Sequence, residues 1–206
     1  MTHSFDKRYW DEVWHGERAP AMATGEPNPH LVHEVADLVP GTALEAGCGA
    51  GTEAIWLASR GWQVTAADIA TQALARGVER ARAAGVAERI EWVEADLSTW
   101  EPEARFDLVT THYAHPTIPQ VEFYDRLATW VAPGGTLLIV GHLPGHGSEG
   151  GSPPAAASVT AREISARLDP AAWQIQTERE SSRTMTGPGS RASTIHDAVV
   201  RAALRR

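Results

Sequence analysis

The sequence predicts an α/β protein built on a seven-stranded, mostly parallel sheet with helices on both faces. Three observations carry that prediction. Short apolar runs alternate along the chain with segments of helical period, the pattern of a parallel sheet covered on both sides. The first run opens into a glycine-rich turn, Gly47-Cys48-Gly49-Ala50-Gly51, which leads directly into a helical segment. The first three runs also finish at or near an acid: Glu45, Asp68 and Asp96.

The elements follow in order. In the N-terminal piece, Tyr9, Trp10 and Trp14 have the spacing that lays side chains on one flank of a short helix. Thr42-Ala43-Leu44-Glu45 reads as the first strand. Thr52 to Arg60 reads as a helix, with Ile55 and Leu57 among its apolar positions, and Gly61 stops it. Gln63 to Asp68 is a second strand. Thr71 suits the N-cap of a helix running to about Ala84, and Gly85 ends it. Ile90 to Val93 is a third strand, ending at Asp96, and Phe106 to Thr111 is a fourth. A helix from Gln120 to Val131 precedes the turn Ala132-Pro133-Gly134-Gly135. Thr136 to Val140 is the fifth strand and the most apolar. Pro144 to Ala157, rich in Gly, Pro and Ser, reads as a loop, and Val159 to Leu168 as a helix. Trp173 to Thr177 and Ser193 to Val200 are closing strands, joined by a turn around Gly187-Pro188-Gly189. There are no internal repeats.

A length of 206 residues suits one domain with a sizeable core. The formal net charge of -8 argues against nucleic acid or an anionic membrane as partner, because both need a basic footprint. Cys48 is the single cysteine, so no internal disulfide is possible. The first residues hold no apolar run of the kind a signal peptide needs, and the longest apolar stretches are strand-sized. A cytoplasmic monomer or homodimer is the expectation.

The glycine turn carries the first chemical signal. Glycine lets the backbone turn sharply and lets a ligand approach closely, and the helix that follows presents free N–H groups. A dinucleotide site prefers G-x-G-x-x-G, with pyrophosphate over the helix N-terminus. Here the spacing is G-x-G-x-G behind an acid, which suits a ligand with a cationic amino-acid end and no phosphate. Asp68 could accept both hydroxyls of a ribose, and Asp96 an adenine amino group. Taken singly, each feature has a plain structural alternative: a tight βα turn, a helix N-cap, a loop carboxylate. Their register at three successive strand ends favours a ligand site.

In these motifs the sequence resembles the class I S-adenosylmethionine-dependent methyltransferases, over roughly Leu31 to His142. Leu44 to Thr52 is similar to the family's first motif, Val64 to Ile69 to its second-strand motif, and Val93 to Leu97 to its adenine-side motif. Phe106 to Val109 and Leu127 to Leu137 are similar to the later ones. Tyr9 to Trp14, with Glu26-Pro27-Asn28-Pro29, more loosely resembles the small-molecule branch that includes tellurite-resistance and thiopurine methyltransferases. The resemblance implies a Rossmann-like, doubly wound sheet with an antiparallel last strand. It implies S-adenosyl-L-methionine as cofactor, S-adenosyl-L-homocysteine as product, and an O, N or S nucleophile of a small molecule as acceptor. Glu45 and Gly47 are then expected near the methionine end, Asp68 near the ribose and Asp96 near the adenine. The full set expected at the cofactor is Trp14, Glu45, Ala46, Gly47, Gly49, Gly51, Asp68, Ile69, Asp96, Leu97 and Thr111. Many members carry Asp where Glu45 stands. The chain is expected to form a single domain over 1–206, with a helical lid or cap at 1–40, the cofactor core at 41–142, and a substrate-side loop and closing strands at 143–206.

Methyl transfer from a sulfonium needs mainly alignment of nucleophile, methyl and sulfur. A base helps only where the nucleophile carries a proton. The candidates are His112, Tyr113 and His115 after the fourth strand, and His142 and His146 after the fifth. Hydrogen bonding to loop backbone is the alternative role for any of them. Four histidines raise a zinc-like site, but no carboxylate or cysteine completes one, so no metal is expected. Cys48, inside the turn, is expected to pack rather than react. Two other functions compete: a nucleotide-dependent oxidoreductase, and a non-catalytic protein that keeps the cofactor pocket. No Asn-Pro-Pro-Tyr run of nucleic-acid base methylation is present; Asn28-Pro29 lies at the wrong place for one.

Overall fold

The computed structural model describes residues 5–16, 25–144, 157–186 and 192–206. His146, the turn at 187–189 and nearly all of the loop expected over 144–157 lie outside the described residues. The strands are Thr42–Ala46 (β1), Gln63–Asp68 (β2), Ile90–Glu94 (β3), Phe106–His112 (β4), Val131–His142 (β5), Trp173–Thr186 (β6) and Ala192–Leu204 (β7). The helices are Lys7–His15 (α1), Pro29–Glu34 (α2), Thr52–Ser59 (α3), Thr71–Ala83 (α4), Gln120–Thr129 (α5) and Ala161–Ser165 (α6).

One seven-stranded sheet has the order β3-β2-β1-β4-β5-β7-β6. β1 to β5 are parallel, and β7 runs antiparallel between β5 and β6. Alternating strand residues feed two cores. Ala43, Leu108, Leu138 and Val140 pack with Leu31, Leu57 and Leu74 of α2, α3 and α4. Leu44, Val109, Leu137 and Ile139 pack with Phe123 and Leu127 of α5 and Ile164 of α6. The sheet is thus doubly wound, and its carboxyl edge is where the connections of β1, β2 and β4 meet.

Several expectations need correction. Thr71 is the first residue inside α4, not its cap. Ala70 takes the cap position, and the Thr71 hydroxyl donates instead to Glu94 Oε2 at 2.8 Å. Residues 132–135 are not a turn ahead of the fifth strand but lie within it. They bulge out of β5, since Phe106 pairs with Val131 and Leu108 already with Thr136, and Gly134 takes a φ of 84° within the bulge. The helix expected to reach Val131 stops at Thr129, because Val131 is needed for pairing with Phe106. The helix over 159–168 shrinks to α6, started by a capping box between Thr160 and Glu163. The closing strands are longer than their apolar runs, because 13 pairs of hairpin register carry polar residues along with them.

Candidate active site

The glycine turn is held from below. Gly47 N–H and Cys48 N–H both donate to Ala67 O, at 2.8 and 3.0 Å, which ties β1's exit to β2. Gly47, Gly49 and Gly51 take φ values of 78°, 52° and 74°, a region that L side chains rarely adopt. Asp68 is nearly buried and braces the turn. Its Oδ2 accepts from Gly49 N–H and its Oδ1 from Ala70 N–H, both at 2.8 Å. It is therefore no N-cap of α4. Burial pushes its carboxyl up, against the amide hydrogen bonds that favour the charge. Arg80, not foreseen from the sequence, reaches across from α4 to Ala50 O at 2.6 Å and Thr52 Oγ1 at 3.0 Å.

Of the other residues expected at the cofactor, Asp96 turns its own loop, with Oδ1 accepting from Ser98 N–H at 2.9 Å. Leu97 is buried beside Gly47. Thr111 is buried, and its hydroxyl donates to Ala46 O at 2.8 Å. Ile69 O accepts from Lys7 Nζ of α1 at 2.9 Å. Trp14, also on α1, lays its ring over Gly49, so close that a Cβ there would lie 2.9 Å from the ring. Cys48 is buried, and its thiol is pushed up by burial, as a packing role requires.

At the head of the turn Glu45 and His112 form a buried pair, with His112 Nδ1 and Glu45 Oε1 3.0 Å apart. Burial pushes the Glu45 carboxyl well up and the His112 imidazole down. A neutral imidazole whose Nδ1–H faces the carboxylate leaves Nε2 as an acceptor. Glu45 Oε2 and His112 Nε2 are both buried without a partner. Two buried atoms left without partners on one hydrogen-bonded pair fit the ammonium of an amino-acid end, so these residues agree with the cofactor that the resemblance implies.

Beyond the turn the predicted His115, His142 and Tyr113 come together, and Phe5 and Trp10 extend them. Tyr113 and His142 stack with centroids 4.5 Å apart, His142 and His115 at 5.5 Å, His115 and Trp10 at 6.5 Å, and Trp10 and Phe5 at 6.2 Å. Burial and the neighbouring His142 hold His115 down at about 4. Burial lowers His142 as well. His115 Nδ1 donates weakly to Gln120 Oε1 at 3.4 Å.

Tyr113 sits at φ 57°, the single positive-φ residue other than glycine among the described residues. Such a conformation costs about 1–3 kcal/mol and persists only where surroundings enforce it. The enforcement comes from residues the sequence reading missed. The phenol donates to Asp197 Oδ1 at 2.6 Å and accepts from Arg183 Nη2 at 3.0 Å. Asn28 Nδ2 approaches the same oxygen at 3.4 Å. His30 Nε2 and Arg183 Nε donate to Asp197 Oδ2 at 3.0 and 2.9 Å. Burial and the adjacent carboxylate push the phenol up, so it stays protonated. The one signal available was an acid inside the apolar run Ile195-His196-Asp197-Ala198-Val199-Val200.

Residues 43–135 match the family model described as a methyltransferase domain. The chain is similar to Probable thiol methyltransferase 2 of Arabidopsis thaliana, 30% identical over 136 residues, 64% of this chain and 60% of that protein. It thus spans less than two thirds of that relative's length. By structure it resembles TehB from Haemophilus influenzae, with a TM-score of 0.71, 15% identity and coverage of 92% of this chain and 66% of the other. It also resembles the 1,6-didemethyltoxoflavin-N1-methyltransferase of Burkholderia thailandensis, solved with bound S-adenosylhomocysteine. There the TM-score is 0.67, with 21% identity and coverage of 97% and 87%. Those two likenesses speak for the fold.

Proposed function

We propose, from the match of residues 43–135 to the methyltransferase-domain family model, that the molecule transfers a methyl group from S-adenosylmethionine to a small-molecule nucleophile. The observation that carries the reading is the buried pair of orphaned acceptors, Glu45 Oε2 and His112 Nε2, at the head of a turn with three positive-φ glycines. These two atoms would receive the methionine ammonium. The free lone pairs of Asp68 would take the ribose hydroxyls, and Asp96 and Leu97 would border the adenine. When bound, the cofactor supplies a methyl on a sulfonium that departs as a neutral thioether, so no proton has to be delivered to the leaving group. The task left to the chain is alignment.

The acceptor side then selects the nucleophile. Among the described residues no strong base stands free on the aromatic stack. Burial holds His115 at about 4 and lowers His142, Tyr113 is pushed up, and Asp197 is shared by three donors. A nucleophile there must arrive with its lone pair ready, which favours a thiolate over an alcohol or an ammonium. The relative named as a thiol methyltransferase points the same way. Purified protein with S-adenosylmethionine and matched thiol, phenol and amine acceptors, read by mass spectrometry, tests this. Methyl thioether as the main product is expected. Methylation of phenols or amines alone contradicts the acceptor, and no product from any class favours a non-catalytic binding protein.

A further inference from the structure

The closing hairpin carries a guanidinium that faces two ways. Arg183, on β6, uses Nε to hold Asp197 and Nη2 to hold the Tyr113 phenol. Those bonds occupy two of its five N–H donors. The three others, two of them on Nη1, have no partner among the described residues, and the side chain is 23% exposed. Its inner edge is fixed while its outer edge is open. The fixed edge sits on a carboxylate that is itself fully buried and already receives His30 Nε2 and the Tyr113 hydroxyl. That arrangement aims the guanidinium and leaves it charged at one end of the Tyr113–His142–His115 stack. Its charge also reaches the imidazoles, where it helps to hold His112 and His142 neutral.

Neighbouring cations do not duplicate it. Arg179, four residues earlier on β6, spends its Nη2 on His30 Nδ1 at 3.3 Å and Glu34 Oε1 at 3.4 Å. Lys7 is engaged by Glu94, 2.9 Å distant, and by Ile69 O and Thr71 Oγ1. A stack of neutral rings with one oriented guanidinium at its end is built to read a small molecule with a flat or polarizable body and an anionic tail.

We propose that Arg183 is a specificity-determining residue of the acceptor site, binding a carboxylate on the methyl acceptor while the nucleophilic atom lies along the stack toward the glycine turn. The proposal rests on the methyltransferase reading above. It is tested with a pair of thiols that differ in charge alone, 3-mercaptopropionate and 3-mercaptopropanamide, titrated by NMR against the full chain with and without S-adenosylhomocysteine. The wild-type protein is expected to bind the acid about tenfold more tightly than the amide, the worth of a charge-assisted hydrogen bond. Arg183→Gln is expected to bring the two within about twofold, and Arg183→Lys, which keeps the charge without the fork, to retain part of the preference. A purely structural role of Arg183 would weaken both ligands equally and leave their ratio intact. Equal binding of acid and amide by the wild type, or an unchanged ratio in Arg183→Gln, overturns the proposal. Absence of S-adenosylhomocysteine binding is read separately by calorimetry and counts against the methyltransferase reading instead. Near-ultraviolet circular dichroism establishes that each variant is folded, and if Arg183→Gln is not, the Arg183→Lys ratio decides.

Discussion

Single residues set the character of the aromatic wall, and His115 does so most plainly. It lies among Phe5, Trp10 and His142, and its imidazole is held at about 4 against an ordinary value of 6.5. Between those two values the unfolded chain holds a proton on His115 that the folded chain does not. Folding stability therefore rises with pH through that window and is lost as pH falls toward 4. His115→Gln should flatten this slope, measured as the free energy of denaturant unfolding at a series of pH values. A slope identical to wild type would show that His115 is not held neutral. Much of this residue-level chemistry was legible in the chain: His112, Tyr113, His115 and His142 were visible as a group because they follow two neighbouring strands. Their division of labour was not. Glu45 and His112 lie 67 residues apart, and His30 and Asp197 lie 167 apart. No local pattern reports such a pairing, so His30, Asp197 and Arg183 were missed although they fix Tyr113 in its strained conformation.

At the scale of elements, α1 joins the two halves of the site. Asp6 caps it, its Oδ1 accepting from Tyr9 N–H at 2.9 Å. Its Trp14 covers Gly49 and its Trp10 donates from Nε1 to His115 O at 3.3 Å, so one helix touches both the turn and the stack. Lys7 Nζ fastens the same helix to Ile69 O and to Thr71 Oγ1, each at 2.9 Å. Trp14 is buried mainly against Ala50, Ala70 and Ala73, a small cluster apart from the two main cores. Trp14→Ala should accordingly loosen α1 rather than unfold the sheet. A loss of even half the about 3–5 kcal/mol typical of a buried tryptophan would weaken S-adenosylhomocysteine binding by more than about tenfold. Calorimetric titration of the variant checks this, and an unchanged dissociation constant would mean that α1 is not a cover for the cofactor. The helical spacing of Tyr9, Trp10 and Trp14 announced this element, though not where it docks. Strand types were read correctly wherever apolar runs were dense. The hairpin of β6 and β7 was cut short because Glu178-Arg179-Glu180-Ser181-Ser182-Arg183 carries no apolar alternation, and pairing alone makes it a strand.

For the whole molecule, the doubly wound sheet gathers one turn, two orphaned acceptors and one aromatic wall at a single carboxyl edge. The alternation of strands and helices made that edge foreseeable. The spacing of the glycines together with the acids at successive strand ends pointed to a ligand site there, because no one of these features is specific alone, and the family resemblance supplied the S-adenosyl cofactor as its expected occupant. Among the described residues no helix is long and apolar enough to cross a membrane. Binding of the S-adenosyl cofactor at this edge is checked by calorimetric titration of the protein with S-adenosylhomocysteine, paired with thermal unfolding. One site per chain with micromolar affinity is expected. At a hundredfold excess over the dissociation constant, the ligand should add about 2.7 kcal/mol of stability and raise Tm by about 5–10 °C. A folded protein that gives neither heat nor a shift in Tm with S-adenosylhomocysteine or S-adenosylmethionine would contradict it.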